Sequence, residues 1–171
     1  KAWWWPGAAG EEPVSGGIVD YLKCFSAALR KPPVEIIWVV SAVDSVGAGT
    51  DWEKFFNYIV ADEVREKTRA YMAPGAEGTL LWPSLSRLED EQLIVKNRYS
   101  CLVPGSSHLE RVLRSRGIDT LLFAGTKTNI CCETAARSAF DMDFKFVMVE
   151  DCCAALSDRE HLAALENVIQ Q

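Results

Sequence analysis

Thr120-Leu121-Leu122-Phe123-Ala124-Gly125-Thr126-Lys127-Thr128-Asn129-Ile130-Cys131-Cys132-Glu133-Thr134-Ala135-Ala136-Arg137 is the stretch from which the fold reads outward. It predicts a buried strand over Thr120 to Ala124, a short turn, and a helix opened by Thr128 or Asn129 that runs to about Phe140. Cys131 falls in the first turn of that helix. Unpaired N–H groups and the positive end of the helix dipole favour thiolate over thiol there. Two readings of Cys131 stand at this point: an activated nucleophile, or a small buried residue, since free cysteine is among the most buried types.

The same alternation extends in both directions. Ile18, Tyr21, Leu22, Phe25 and Leu29 predict one face of a helix over about 17–31, ended by Pro32-Pro33. Glu35 to Val43 reads as a strand covered on both faces. Gly47-Ala48-Gly49 reads as a loop, and Thr50-x-x-Glu53 as a capping box for a helix through Trp52, Phe55, Phe56 and Ile59. Pro74 to Pro83 is an interrupted connection. Leu93-Ile94-Val95 is a short buried strand that delivers Lys96. Ser107-x-x-Glu110 caps a helix stopped by Gly117. Phe146 to Val149 is a further buried strand. Ser157-x-x-Glu160 caps a last helix through Leu162, Leu165 and Ile169. Strands alternating with helices imply a parallel sheet, with chemistry at the carboxyl ends of its strands. Lys96 and the Cys131 turn both lie at such ends.

The 171 residues, 49% hydrophobic with a formal net charge of -6, suit one domain over residues 1–171. The acidic balance argues against nucleic acid as a partner. No apolar run approaches the roughly 18 residues of a membrane span, and no signal peptide is evident. The six cysteines, Cys24, Cys101, Cys131, Cys132, Cys152 and Cys153, form no C-x-x-C pair. Neither a metal site nor a disulfide framework is therefore expected, and a reduced, cytoplasmic protein is.

Lys96 ends a buried strand, so its ammonium must reach water or a negative partner. It is either a cation that stabilises a nearby thiolate or a snorkelling side chain. Cys132, rotated by about 100° from Cys131 on a helix, packs against the sheet. Asn129 reads as an N-cap, and Arg137 as a structural partner of Glu133. His108 and His161 sit in charged first turns, where solvated histidines are ordinary. Trp52, Phe55 and Phe56 line either a substrate lid or the core.

Lys96-Asn97-Arg98-Tyr99-Ser100, then Leu113-Arg114-Ser115-Arg116-Gly117-Ile118, then Ala124 through Glu133, then Val149-Glu150-Asp151 together resemble the isochorismatase-like cysteine hydrolases. That family includes nicotinamidases, N-carbamoylsarcosine amidases and ureidoacrylate amidohydrolases. The resemblance spans about residues 6 to 171. It implies a three-layer α/β fold, a mostly parallel sheet with helices on both faces. It implies a triad in which Cys131 is the nucleophile and Lys96 the lysine. It places a cis peptide between Thr126 and Lys127, and an oxyanion hole at the backbone N–H groups of Lys127 and Cys131. The substrate would be a small-molecule amide or carbamoyl compound, cleaved at its C–N bond through a thioester with no cofactor and no metal.

The chain departs from that pattern at both ends. The family's triad aspartate closes its first strand shortly before a Pro-Gly turn. Pro6-Gly7 resembles the turn, yet neither the strand nor the aspartate has a counterpart before it. Asp20 falls on a helix, and Asp44 is a weak stand-in. Past Gln170-Gln171 the family adds another strand. The expectation is a domain incomplete at both ends and impaired as a hydrolase, since a general base contributes about 10²–10⁴-fold. A binding or oligomerisation module is the alternative. Unpaired strands and the Trp3-Trp4-Trp5 segment point to a homo-oligomer.

Overall fold

The computed structural model describes residues 17–44 and 51–170. The Trp3-Trp4-Trp5 segment, Pro6-Gly7, the Gly47-Ala48-Gly49 loop and Thr50 lie outside these. Helix α1 (Ile18–Leu29) leads through Pro32-Pro33 into β1 (Ile37–Ser41). Then come α2 (Glu53–Tyr58), α3 (Arg65–Met72) and β2 (Gln92–Lys96). The second half alternates α4 (Leu109–Ser115), β3 (Thr120–Thr126), α5 (Glu133–Asp141), β4 (Lys145–Ala154) and α6 (Asp158–Ile169).

The α/β class and the parallel pairing stand as expected, with one difference in how the strands are grouped. The described strands form two parallel pairs, β1 with β2 and β3 with β4, rather than one sheet. Among the described residues no strand hydrogen-bonds one pair to the other. Apolar packing joins them. Ile94 of β2 and Leu109, Leu113, Ala135, Ala139 and Phe144 form one buried cluster. Ile37 and Val39 of β1 and Leu121 and Phe123 of β3 pack against it. Burying such side chains stabilises by about 1.5–3 kcal/mol each, so this cluster sets the relative position of the two pairs.

β2 is not the doubly covered strand its apolar run suggests. Ile94 is fully buried, but Leu93 and Val95 are 38% and 50% exposed. Val40 and Val95 are register partners. With Ala42, Thr79, Leu80 and Leu93 they line an open cleft of about 420 Å³ that also reaches Lys96. An all-apolar run hides a period of two, which is why the sequence does not reveal the open face. On the far side, Phe146 and Met148 of β4 with Leu162, Leu165, Val168 and Ile169 of α6 line a second cleft of about 440 Å³.

Caps explain several boundaries. Ser157 accepts from the Glu160 N–H at 3.2 Å and its hydroxyl bonds the Glu160 carboxylate at 3.1 Å, which is the expected capping box. The Thr50 box lies outside the described residues, and the Ser107 box does not form. Ser107 instead accepts from the Leu109 N–H and donates to Cys101 O, leaving His108 as the α4 cap. α2 starts from Trp52, whose φ of 47° holds a bulky residue in the left-handed region. That strained geometry is supported by a stack on Phe55 at 4.6 Å and an edge contact with Tyr99 at 4.7 Å. The polar α3 went unread in the sequence. It is tied on by Arg65, which donates to Phe56 O at 2.6 Å, and by the Arg69 guanidinium over the Phe56 ring. Among the described residues no helix is long and apolar enough to cross a membrane.

Candidate active site

The last residue but one of β3 is Gly125, whose φ of +124° is open to glycine and to few other residues. The peptide bond between Thr126 and Lys127 is cis. A single wide turn of π-helical type, Thr128–Cys132, follows and passes directly into α5. Such turns are rare and concentrate at functional positions. The Cys132 N–H bonds Lys127 O at 3.1 Å, closing the turn on itself. Asn129 is not the cap: Lys127 stands there, and the buried Asn129 Oδ1 has no hydrogen-bond partner.

The two strand ends meet at this turn. Lys96, 7% exposed at the end of β2, donates from Nζ to Arg98 O at 2.8 Å and to Cys131 Sγ at 3.4 Å. A buried ammonium needs partners for its protons. Among the described residues its partners are one neutral carbonyl and one sulfur. Cys131 is half-exposed, whereas Cys101, Cys132, Cys152 and Cys153 are buried.

The surroundings treat the sulfurs differently. Hydrogen bonding to Cys153 and burial hold the Cys132 thiol well above the ordinary cysteine value. Burial pushes the Cys101 thiol up to about 11. Burial, and then charge on Cys131, raise the Tyr99 phenol. Its ring meets Trp52 and Phe55, and the Arg98 guanidinium lies 5.3 Å from the Trp52 ring centroid. The result is an aromatic cluster of Trp52, Phe55 and Tyr99. Phe55 and Phe56, 7% and 1% exposed, belong to the core, and Trp52 and Tyr99 pack against them.

Arg137 pairs with Glu133 at 3.1 Å, as a structural contact on α5. His161 is not the solvated residue its sequence position suggests. Its Nδ1 is 2.9 Å from Oγ1 of Thr128, a fully buried residue of the cysteine turn. The signal was present: His161, Ala164, Leu165 and Val168 follow helical spacing, and that stripe is the inward face of α6. Leu162 and Ile169 lie outside it, 52% and 83% exposed. Asp20 is exposed on α1, and Asp44 lines the cleft over β1 and β2.

Known proteins share this arrangement of elements. The family model for the isochorismatase domain matches residues 6–171. A ureidoacrylate amidohydrolase RutB from Agrobacterium fabrum is 31% identical over 145 residues, which is 80% of this chain and 61% of the relative. An uncharacterized isochorismatase family protein YecD from Escherichia coli O157:H7 is 33% identical over 85 residues, or 50% of this chain and 44% of the relative. The chain thus spans about half the length of the curated relatives it matches. Among solved structures, an isochorismatase family protein from Desulfovibrio vulgaris superposes with a TM-score of 0.73 at 24% identity, covering 90% of this chain and 76% of the other. N-carbamoylsarcosine amidase from Thermoplasma acidophilum superposes with a TM-score of 0.68 at 20% identity, covering 90% and 79%. At these identities the superpositions speak for the fold.

Proposed function

This chain belongs to the isochorismatase family, and from that premise we propose that it is a cysteine hydrolase cleaving the C–N bond of a small amide or ureido substrate. The observation that carries the reading is the 3.4 Å contact between Lys96 Nζ and Cys131 Sγ. Lys96, a buried cation at the end of β2, meets the half-exposed sulfur of Cys131, 35 residues on in the turn after β3. Cys131 Sγ attacks the carbonyl carbon. The backbone N–H groups of Lys127 and Cys131 hold the oxyanion that develops. The C–N bond breaks, the amine leaves, and water hydrolyses the thioester. Lys96 balances the charge of the attacking sulfur. Trp52 and Tyr99 receive the flat, unsaturated part of the substrate.

The cycle also needs an acceptor for the thiol proton. Among the described residues the hydrogen bonds of Lys96 involve no carboxylate. The resemblance assigns that role to an aspartate at the end of the family's first strand, to which no residue of this sequence is matched. The test measures amine or ammonia release from a panel of small primary amides and ureido acids. Three folded proteins are compared: the chain, its Cys131→Ala variant, and the chain extended by an N-terminal strand that carries an aspartate. The reading predicts activity that requires Cys131 and rises at least about 10²-fold with the extension. Equal rates in all three would overturn it.

A further inference from the structure

The hydrolytic cycle leaves one contact of the cysteine turn without a role. Thr128 opens the turn that carries Cys131, and it is fully buried. Its carbonyl accepts from the Glu133 N–H, the five-residue span that makes the turn wide. Its hydroxyl makes one hydrogen bond among the described residues, with Nδ1 of His161 at 2.9 Å. His161 lies on α6, 33 residues on. Its own N–H bonds Ser157 O at 3.0 Å in the capped first turn of that helix. Ser157 stands three residues after Ala154, which ends β4 and is the register partner of Thr126. Thr126 in turn is two residues before Thr128, across the cis peptide. The contacts thus form a ring: from the end of β3 to the end of β4, through the Ser157 cap to His161, and back to Thr128. The Thr128–His161 bond closes it.

We propose that His161 is a positioning residue for the cysteine nucleophile, acting through Thr128. Lys127, directly before Thr128, supplies an N–H to the oxyanion in the proposed cycle, and Cys131 lies three residues after Thr128. Fixing Thr128 therefore fixes both. A hydroxyl can donate to a bare ring nitrogen or accept from a ring N–H, so Thr128 stays paired with either tautomer of the imidazole. Without the ring nitrogen the buried hydroxyl is left unpaired, and the turn must shift to find it another partner. Such a shift lengthens the 3.4 Å contact between Lys96 Nζ and Cys131 Sγ, because Lys96 is held on β2 and does not follow. Misplacing reacting groups by about 1 Å can cost about 10²-fold in rate. In this role His161 takes no proton from the thiol and makes no bond to substrate.

The consequence for turnover rests on the hydrolase reading, but the placing of the sulfur does not, so the decisive readout is the labelling of Cys131. Its alkylation by iodoacetamide at mildly acidic pH is followed by peptide mapping in folded variants. A nearby ammonium favours the reactive thiolate, so a sulfur moved off Lys96 reacts more slowly. Asparagine sets its amide near the position of the imidazole Nδ1, and glutamine sets it near that of Nε2. His161→Asn should therefore keep most of the labelling rate, and His161→Gln should lower it about tenfold. His161→Ala and Thr128→Val should each lower it by a similar factor. Their double variant should lower it no further, because both remove one interaction. Thr128→Ser, which keeps the hydroxyl, should stay close to the wild-type rate. Equal rates in His161→Asn and His161→Gln, or losses that multiply in the double variant, overturn the proposal. If His161→Ala or Thr128→Val does not fold, the asparagine and glutamine variants decide alone. In hydrolysis, His161→Gln should lower kcat by the same factor with KM held; a kcat that holds while labelling falls overturns the role in turnover. If no version of the chain hydrolyses amides, the labelling still decides the positioning.

Discussion

The β1–β2 pair and the β3–β4 pair each bring one group to the proposed site, and they hold it in different ways. Lys96 ends a five-residue strand whose outer face, Leu93 and Val95, is open. Its position depends on Ile94, two residues before it, which is fully buried in the shared cluster. Cys131 sits on a turn gripped from several sides, by β3 before it, α5 after it, and α6 through the Thr128–His161 hydrogen bond. The cysteine is thus set by local structure, and the lysine by packing between halves. The difference teaches that the site is aligned by a hydrophobic cluster rather than by a continuous hydrogen-bonded ladder. Damage to that cluster should separate two groups that no described strand connects.

The comparison can be broken first at the chemistry. Cys131→Ala should lower hydrolysis by roughly 10⁴–10⁶-fold, the scale seen when a nucleophile is removed. Circular dichroism and the unfolding midpoint should stay nearly unchanged, because the residue is half-exposed on a turn held by its neighbours.

Ile94→Ala tests the packing half of the contrast. It removes a fully buried side chain and should cost about 2–5 kcal/mol in urea unfolding. Residual activity of the folded fraction should fall as well, because the same change loosens Lys96. A variant that loses stability and keeps full activity per folded molecule would show that the cluster does not align the site.

His161→Ala tests the local half. The buried Thr128 hydroxyl would lose its partner, at about 1–3 kcal/mol. The rate at saturating substrate should drop with little change in KM, and His161→Asn should recover part of it by replacing the ring nitrogen.

The smallest effect lies at the edge of the β1–β2 half. Glu91 is held down to about 2 by the hydrogen bond from Arg30, with further bonds from the Trp38 indole and the Leu88 N–H. A depressed carboxyl contributes stability that is fully present above its unfolded value near 4.3. That contribution is lost as pH falls toward about 2. Glu91→Gln should therefore destabilise the chain at neutral pH and flatten the decline of its stability below about pH 4, measured by thermal melts across that range.

How far the sequence carries depends on the kind of signal. The alternation of strands and helices, Gly117 at the end of α4 and the Ser157 cap were legible because each is a local rule about one segment. The proximity of Lys96 and Cys131 was legible only through strand-end topology and motif order. The open face of β2 was not, because Leu93-Ile94-Val95 is apolar throughout and reads as buried on both sides. α3 was missed because Arg65–Met72 is mostly polar and is held by arginine contacts rather than by an apolar stripe. The Thr128–His161 contact joins elements far apart in the chain, and no local pattern announces such a pair.

The account turns on a sulfur that reacts with an amide carbonyl while a buried ammonium stands beside it. Acid quenching during turnover of a small amide or ureido acid, followed by intact mass and peptide mapping, tests this most directly. The account predicts one acyl adduct on Cys131, absent from Cys131→Ala and strongly reduced in a folded Lys96→Met variant. Turnover with Cys131 unmodified, or an adduct equally abundant without Lys96, would contradict it.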